Sequence, residues 1–318
     1  MVAATCSDQE FLELWKMHGS CRKVAQVLGV AERNVHKRRR YLETRYGCNL
    51  EPKTRMVIKK HDGRVDLEVR DGIVIVFSDA HFQPEIDTTA FRALIMLIRQ
   101  LKPVAVVNNG DALDFGAISR WPRIGWDNKP SVLEELKAAA RALTMIEEAA
   151  FGADLIWPLG NHDARLETFL ANKVPEFQGV GGFHLKDYFP LWKPCWLTRI
   201  NDSVTIKHRF KGGVHAAHNN ALWAGQTCVT GHLHSLKSTP LTDYNGTRWG
   251  VDTGTLADPS GPHDLDYTEG NPLNHRSGFV VLTFRNGELL DPELVRKWDE
   301  DRVVFRGHLL HADTGEIV

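Results

Sequence analysis

The sequence is short of several things. Its five cysteines, Cys6, Cys21, Cys48, Cys195 and Cys228, are scattered, odd in number and form no CxxC pair. This argues against a disulfide framework and for reduced thiols in a cytoplasmic protein. No run of 18 or more apolar residues occurs, so neither a membrane span nor a membrane partner is expected. The opening stretch, MVAATCSDQEF, lacks the basic-then-apolar order of a secretory signal. Internal repeats, low-complexity tracts and an evident coiled coil are missing too. Nor is there a surplus of either charge: 39 Lys and Arg face 40 Asp and Glu, a net charge of -1. What remains is 318 residues, 42% hydrophobic and 25% charged, the composition of a soluble globular chain with room for one large domain and one small one.

The neutral total hides an asymmetry. Between Arg22 and Arg45 basic residues greatly outnumber acidic ones, while the rest is mildly acidic and rich in histidine. Charge segregated in this way indicates separate jobs. DQEFLELWKMHG reads as a helix ended by Gly19. SCRKVAQVLG reads as a second, with Ser20 as N-cap and Gly29 as stop, and a long basic third runs to Gly47. A short helix, a tight turn and a basic helix make the pattern of a helix-turn-helix. Val24, Ala25, Leu28, Val30 and Val35 would pack the pair. Arg33, Asn34, Lys37, Arg38 and Arg40 would face outward as DNA contacts. The competing reading is a small helical cap with a solvated basic face. The expected organisation is an all-α DNA-binding domain over residues 1–50 and a second domain over 51–318.

Beyond HDG at 61–63, which sits between alternating runs as a hairpin signal, the chain becomes apolar in short continuous runs. Ile73 to Phe77, Val104 to Val107 and Leu155 to Pro158 read as buried strands separated by helices near 88–101 and 130–150. That alternation predicts an α/β fold with parallel strands. Later runs, SVTIKHRF, QTCVTGHLHS, GTRWGVDTGTL and SGFVVLTFRNGEL, read as further strands. The segment 257–275 reads as a long polar loop.

Five of these strands end in the same kinds of residue: Asp79 and His81, Asp111, Asn161 and His162, His208, and His232 with His234. One such ending is usually a turn residue. Five in one α/β chain point to a site, because open sheets bind ligands at strand carboxyl ends and carboxylate, imidazole and amide together suit divalent metals.

SDAH, GDALD, GNHD and GHLH, in this order and with these gaps, resemble the motifs of the calcineurin-like metallophosphoesterases, here in a phage or prophage form with an N-terminal helix-turn-helix. The likeness covers about residues 70–260. It implies a two-sheet sandwich flanked by helices, with two divalent metal ions at the strand ends: Mn2+ first, with Fe, Zn or Ni as alternatives. Carried over, Asp79, His81, Asp111 and His234 would hold one ion, Asn161, His208 and His232 the other, and Asp111 would bridge. His162 would meet the leaving oxygen as acid, and Asp163 would orient His162 by a hydrogen bond. His215 and His218 compete with His208 for the fourth motif, since KHRFKGGVH lacks the family's His-Gly. His208 is favoured because it ends a β-patterned run. The metals would acidify a water bridging them, and the resulting hydroxide would attack phosphorus.

The basic helices, and Arg120, Trp121, Arg123 and Trp126 in one loop, tip the expectation toward a phosphodiesterase or nuclease acting on DNA. The alternative is a small-nucleotide or cyclic-nucleotide phosphodiesterase or phosphatase whose N-terminal helices mediate dimerisation. A homo-oligomer stays open in either case. The expected location is the cytoplasm, that of the host if the chain is phage-encoded.

Overall fold

The computed structural model describes residues 6–50, 56–57, 63–120, 129–259 and 273–318. The chain divides into two compact units, Met1–Arg55 and Met56–Val318.

The described residues of the first unit form three helices, Asp8–His18, Cys21–Leu28 and Glu32–Tyr46. Ser7 and Glu10 close a reciprocal capping box at the first, satisfying N–H groups that a helix start leaves orphaned. Ser20 stands at the second N-cap without a side-chain capping bond. Phe11, Trp15, Val24, Ala25, Val35 and Leu42 form the core, with Leu28 and Val30 partly buried against it. On the third helix Arg33, Asn34, Lys37 and Arg40 are exposed. Arg38 is not an outward residue as its sequence position implied. Its guanidinium donates to the Cys6 carbonyl (2.6 Å) and Asp8 (3.1 Å) and lies over the Phe11 ring. Helical periodicity places it at the edge of the buried stripe, and the first helix supplies a carboxylate there. Arg39, flanking Trp15, is buried.

The second unit is built on two sheets. Among the described residues the larger has nine strands, and its centre is the parallel trio Gly72–Phe77, Ala105–Asn108 and Asp154–Pro158. The strand Gly278–Arg285 runs antiparallel beside the first of these. Side chains alternate along each strand, and both faces are covered. Val74, Val76, Ala105, Val107, Val280 and Leu282 point to the second sheet, where Ile200, Val204, Ile206, Val229 and Val251 meet them. Ile75, Phe77, Val106, Phe279 and Val281 point the other way, into a core shared with helices Thr89–Leu101 and Val132–Ala149. This is why the central strands read as unbroken apolar runs. Each fully buried Val, Ile or Phe side chain contributes about 1.5–3 kcal/mol.

The second sheet has seven strands among the described residues and includes Val204–Ile206, Thr227–Thr230 and Gly246–Asp252, which run parallel to one another. Helix Ala216–Ala224 packs on the last of them so closely that a Cβ on Gly250 would strike the Ala217 carbonyl. The fold is therefore α/β: two packed mixed sheets flanked by helices, preceded by a small helical unit. Strands Met56–Val57 and Arg64–Leu67 pair antiparallel, as HDG implied, but most of their connection lies outside the described residues. Trp121, Arg123, Trp126 and most of the 257–275 loop also lie outside them.

Candidate metal centre

The polar residues that follow five strands converge. Asp79 and His81 follow Gly72–Phe77, Asp111 follows Ala105–Asn108, and Asn161 and His162 follow Asp154–Pro158, all in the larger sheet. His208 follows Val204–Ile206, and His232 and His234 follow Thr227–Thr230, in the smaller one. The site thus spans the carboxyl ends of both sheets.

Reaching a common centre requires unusual backbone. Asp79, His81, Asp111, His232 and His234 all have left-handed φ, between 41° and 71°. Such conformations cost of order 1–3 kcal/mol per residue and concentrate where a site demands them. Two glycines make room. A Cβ on Gly160 would collide with the Asp111 carboxylate, and one on Gly231 would lie 2.7 Å from Asp79 Oδ2. The glycines of GNHD and GHLH are thus set by close approach to the carboxylates.

Three groups result among the described residues, each with its ligand atoms within 4.8 Å of one another: Asp79–His81–His234, Asp111–His208–His232 and His81–Asp114–His162. The first two follow the expected division of ligands, with Asp111 grouped with His208 and His232. Asp79 is fully buried and accepts from Ser78 Oγ and from the His232 N–H (2.9 Å), and its Oδ1 is 3.0 Å from His234 Nε2. Asp111 Oδ1 accepts the His162 N–H (2.8 Å), and Oδ2 lies 2.9 Å from His208 Nε2. His208 is 2% exposed. Among the described residues, His215 and His218 join none of the three groups, whereas His208 joins Asp111 and His232.

The donor chemistry fits divalent cations. The Asn109 carbonyl lies 2.7 Å from His208 Nδ1 and accepts its proton, which leaves Nε2 a lone pair in the neutral tautomer. That buried atom lies 2.9 Å from the Asp111 carboxylate, a geometry that a shared proton or a metal ion satisfies. Asn161 Oδ1 is also buried, and unpartnered. Acceptors facing acceptors need a cation between them. The proton affinities say the same. Burial would push His208 down, but the Asp111 and Asp79 charges outweigh it and raise its pKa to about 10. Burial would push Asp111 and Asp79 up, yet the neighbouring imidazoles, His208 foremost for Asp111 and His234 for Asp79, bring Asp111 to about 2 and hold Asp79 well below the usual carboxylate range. His81, desolvated and facing His162, falls to about 4.

Asp163 does not orient His162. Its buried carboxylate accepts the N–H groups of Asp111, Ala112, Leu113 and Gly160 and the Trp157 indole N–H, at 2.8–3.3 Å. It fixes the backbone on which Asp111 stands. The partner of His162 Nδ1 is Asp114, with Oδ1 at 2.6 Å. Asp114 lies within GDALD, but nothing in that spacing marks it as the partner of a histidine in another motif. Arg165, equally unmarked in the sequence, donates to the Asp114 carbonyl (2.7 Å) and brings Nη2 to 3.3 Å from His162 Nε2. Buried Glu135 on helix Val132–Ala149 accepts from the Asp114 N–H (3.0 Å) and that of Phe115, holding this loop in place. Burial lowers the proton affinity of His162, but the Asp114 hydrogen bond and the Asp111 charge outweigh it and raise its pKa above the usual imidazole value.

A pair of acid–imidazole groups beside a protonatable histidine is the apparatus of a metal-dependent phosphoester hydrolase. Residues 73–312 match the model of the calcineurin-like phosphoesterases, and the chain belongs to that family. Its members use divalent metals, in keeping with the donor set. The Gene 54 proteins of Mycobacterium phages L5 and D29 are 25% and 26% identical to it over 253 residues, covering 70% of this chain and 92% of each relative. Among solved structures, the E. coli phosphoesterase Yfce aligns at 15% identity over 77% of this chain and 96% of its own, with a TM-score of 0.33. Purple acid phosphatase PPD1 from yellow lupin aligns at 13% identity over 77% and 52%, with a TM-score of 0.25. No helix among the described residues is long and apolar enough to cross a membrane.

Proposed function

We propose that the protein is a two-metal phosphodiesterase that cleaves DNA, with the helical N-terminal unit as its DNA-binding module. The observation that carries the reading is the joining, in one chain, of the Asp–His centre to a separate unit whose third helix exposes Arg33, Asn34, Lys37 and Arg40. Asp79, His81, His234 and Asp111 would hold one ion, and Asn161, His208, His232 and Asp111 the other. Mn2+ is the first choice for both. Bound there, divalent ions supply positive charge to the phosphoryl oxygens and acidify the attacking water.

The residues around them do the rest. Asp114 accepts the Nδ1 proton of His162 and so directs Nε2 toward the substrate. A protonated Nε2 donates to the leaving oxygen as the ester bond breaks. Arg165, tethered to the Asp114 carbonyl, carries the charge that holds a phosphate oxygen beside His162. Relatives encoded by phages fit a setting in a host cytoplasm.

Initial rates with Mn2+ on single-stranded DNA, duplex DNA, a cyclic nucleotide and bis(p-nitrophenyl) phosphate test the reading. Cleavage of DNA is expected. Turnover of the cyclic nucleotide with none of DNA would replace it with a small-nucleotide phosphodiesterase.

Asp114→Asn keeps the shape but removes the charge that holds His162 in its tautomer. Turnover on an alkyl diester should fall about 10–100-fold, as when a carboxylate partner of an active histidine is lost. Metal content measured by elemental analysis should stay the same. Loss of metal in that variant would make Asp114 a ligand instead.

Changing Arg33, Lys37 and Arg40 to Gln should weaken duplex binding and make its salt dependence shallower, by roughly 0.9 in the log–log slope for each phosphate that is no longer neutralised. Arg38→Gln, by contrast, should lower thermal stability, because it removes the tie to Asp8 and Cys6. An unchanged salt slope in the triple variant would make the helix a solvated face.

A further inference from the structure

About one residue in eight of the chain is acidic, yet from Ser203 to Thr242 there is no Asp or Glu at all. The same stretch supplies His208, His232 and His234 to the centre and carries Lys207, Arg209, Lys211 and Lys237. Among the described residues, Lys207, Arg209 and Lys211 pair with no carboxylate. Two of them lie instead on aromatic rings: Lys207 Nζ is 4.9 Å from the Phe210 centroid, and Lys211 Nζ is 4.3 Å from that of Trp223. Both rings are open to solvent, Phe210 at 39% and Trp223 at 68% exposure.

The arrangement is built into the fold. Phe210 follows His208 by two residues in the chain, on the loop that leaves strand Val204–Ile206. Trp223 is carried on helix Ala216–Ala224. The buried Asn220 of that helix accepts the Lys211 N–H (2.9 Å) through Oδ1 and donates to Thr230 Oγ1 (3.4 Å), tying loop, helix and strand together. Cations without a carboxylate partner beside exposed aromatic rings are what a polynucleotide strand with free bases recognises. The cations meet phosphates, and the rings stack on bases. A duplex cannot use the rings, because its base faces are already stacked.

We propose that this rim is a single-strand subsite of the catalytic unit. Phosphates lie along Lys207, Arg209 and Lys211, bases lie on Phe210 and Trp223, and the strand is led to the centre at His208. The inference rests on the phosphodiesterase reading above and narrows its substrate to unpaired strands and frayed ends.

The test is fluorescence anisotropy of dye-labelled oligothymidylate with the full chain in EDTA, alongside cleavage of the same oligonucleotide with Mn2+. Trp223→Ala and Phe210→Ala should each weaken binding roughly tenfold or more. Trp223→Phe should restore most of it, and Lys211→Gln should make the salt slope shallower by roughly 0.7. Circular dichroism melts confirm that each variant is folded. If both alanine variants bind and cut single strands as the parent does, the rim is not a subsite, while the phosphodiesterase reading stands. If the parent hydrolyses bis(p-nitrophenyl) phosphate but no DNA, that reading fails and the rim with it. If Trp223→Ala abolishes self-association in sedimentation without changing oligothymidylate binding, the patch is a subunit contact and the proposal is overturned.

Discussion

Asp111→Asn should strip the centre of most of its metal and lower kcat/KM on any diester by roughly 10²–10⁴-fold. Asparagine keeps the shape and can still accept the His162 N–H that Asp111 Oδ1 receives at 2.8 Å. What it removes is one negative charge, 1% exposed, beside His208 at 2.9 Å. Withdrawing one partner of a buried charge pair typically costs about 3–5 kcal/mol, and each 1.36 kcal/mol is tenfold. With Asp111 serving both ions, elemental analysis of manganese-loaded protein should fall from about two ions per chain to well under one in the variant. Full occupancy of one ion with loss of the other would confine Asp111 to the His208–His232 side, where its shortest imidazole contact lies. Full occupancy and full activity would remove it from the centre.

His162→Ala should behave in the opposite way, keeping metal and losing turnover. His162 belongs with Asp114 and Arg165, and its Nε2 is 3.8 Å from Asp111 Oδ2, so its removal leaves the Asp79 and Asp111 groups of ligands intact. Asp114 and Asp111 raise its proton affinity against the effect of burial, which keeps the ring protonated nearer neutral pH than a free imidazole. A general acid of this kind is worth roughly 10²–10⁴-fold when the leaving group is a poor one. The loss should therefore be large on a dinucleotide or an alkyl ester and small on bis(p-nitrophenyl) phosphate, whose phenolate leaves without a proton. Rates measured on both substrates decide the point. Equal losses would give His162 a binding role in place of proton donation.

Much of this site is legible in the primary structure for one physical reason. A parallel strand buried on both faces is largely apolar, so the polar residues that follow Phe77, Val107 and Pro158 in the larger sheet mark where each strand leaves the core. Those ends lie side by side because the strands are hydrogen-bonded neighbours. Order and spacing picked out Asp79, His81, Asp111, Asn161, His162, His232 and His234 as strand-end residues, and the fold brings all of them but Asn161 into the three Asp–His groups. His208 was harder, because its strand is only three residues long and two other histidines follow.

Other features were not legible. Strands Lys193–Cys195 and Leu197–Ile200 are too short for a periodic signal. Lys237–Asp243 contains Pro240 and is tolerated because it ends its sheet. The strands Glu293–Lys297, Arg302–Phe305 and His308–His311 mix charge into their pattern because they continue the larger sheet to its margin.

The sequence by itself determined the class of fold, the order of the strand ends and the kinds of ligand they carry, since burial, period and chain order are properties of the chain. Which carboxylate serves which histidine was decided only by tertiary structure. Asp163 is adjacent to His162 in the chain, but its side chain turns back under the strand ends, where five N–H donors converge on it. Asp114 lies 48 positions away and meets the ring at 2.6 Å, on a loop that Glu135 holds by accepting the Asp114 and Phe115 N–H groups. Arg38 was turned inward in the same way, by a carboxylate on a different helix. A hydrogen bond depends on direction as well as proximity, and the direction of a side chain is set by the left-handed turns and the packing around it, which no spacing along the chain encodes.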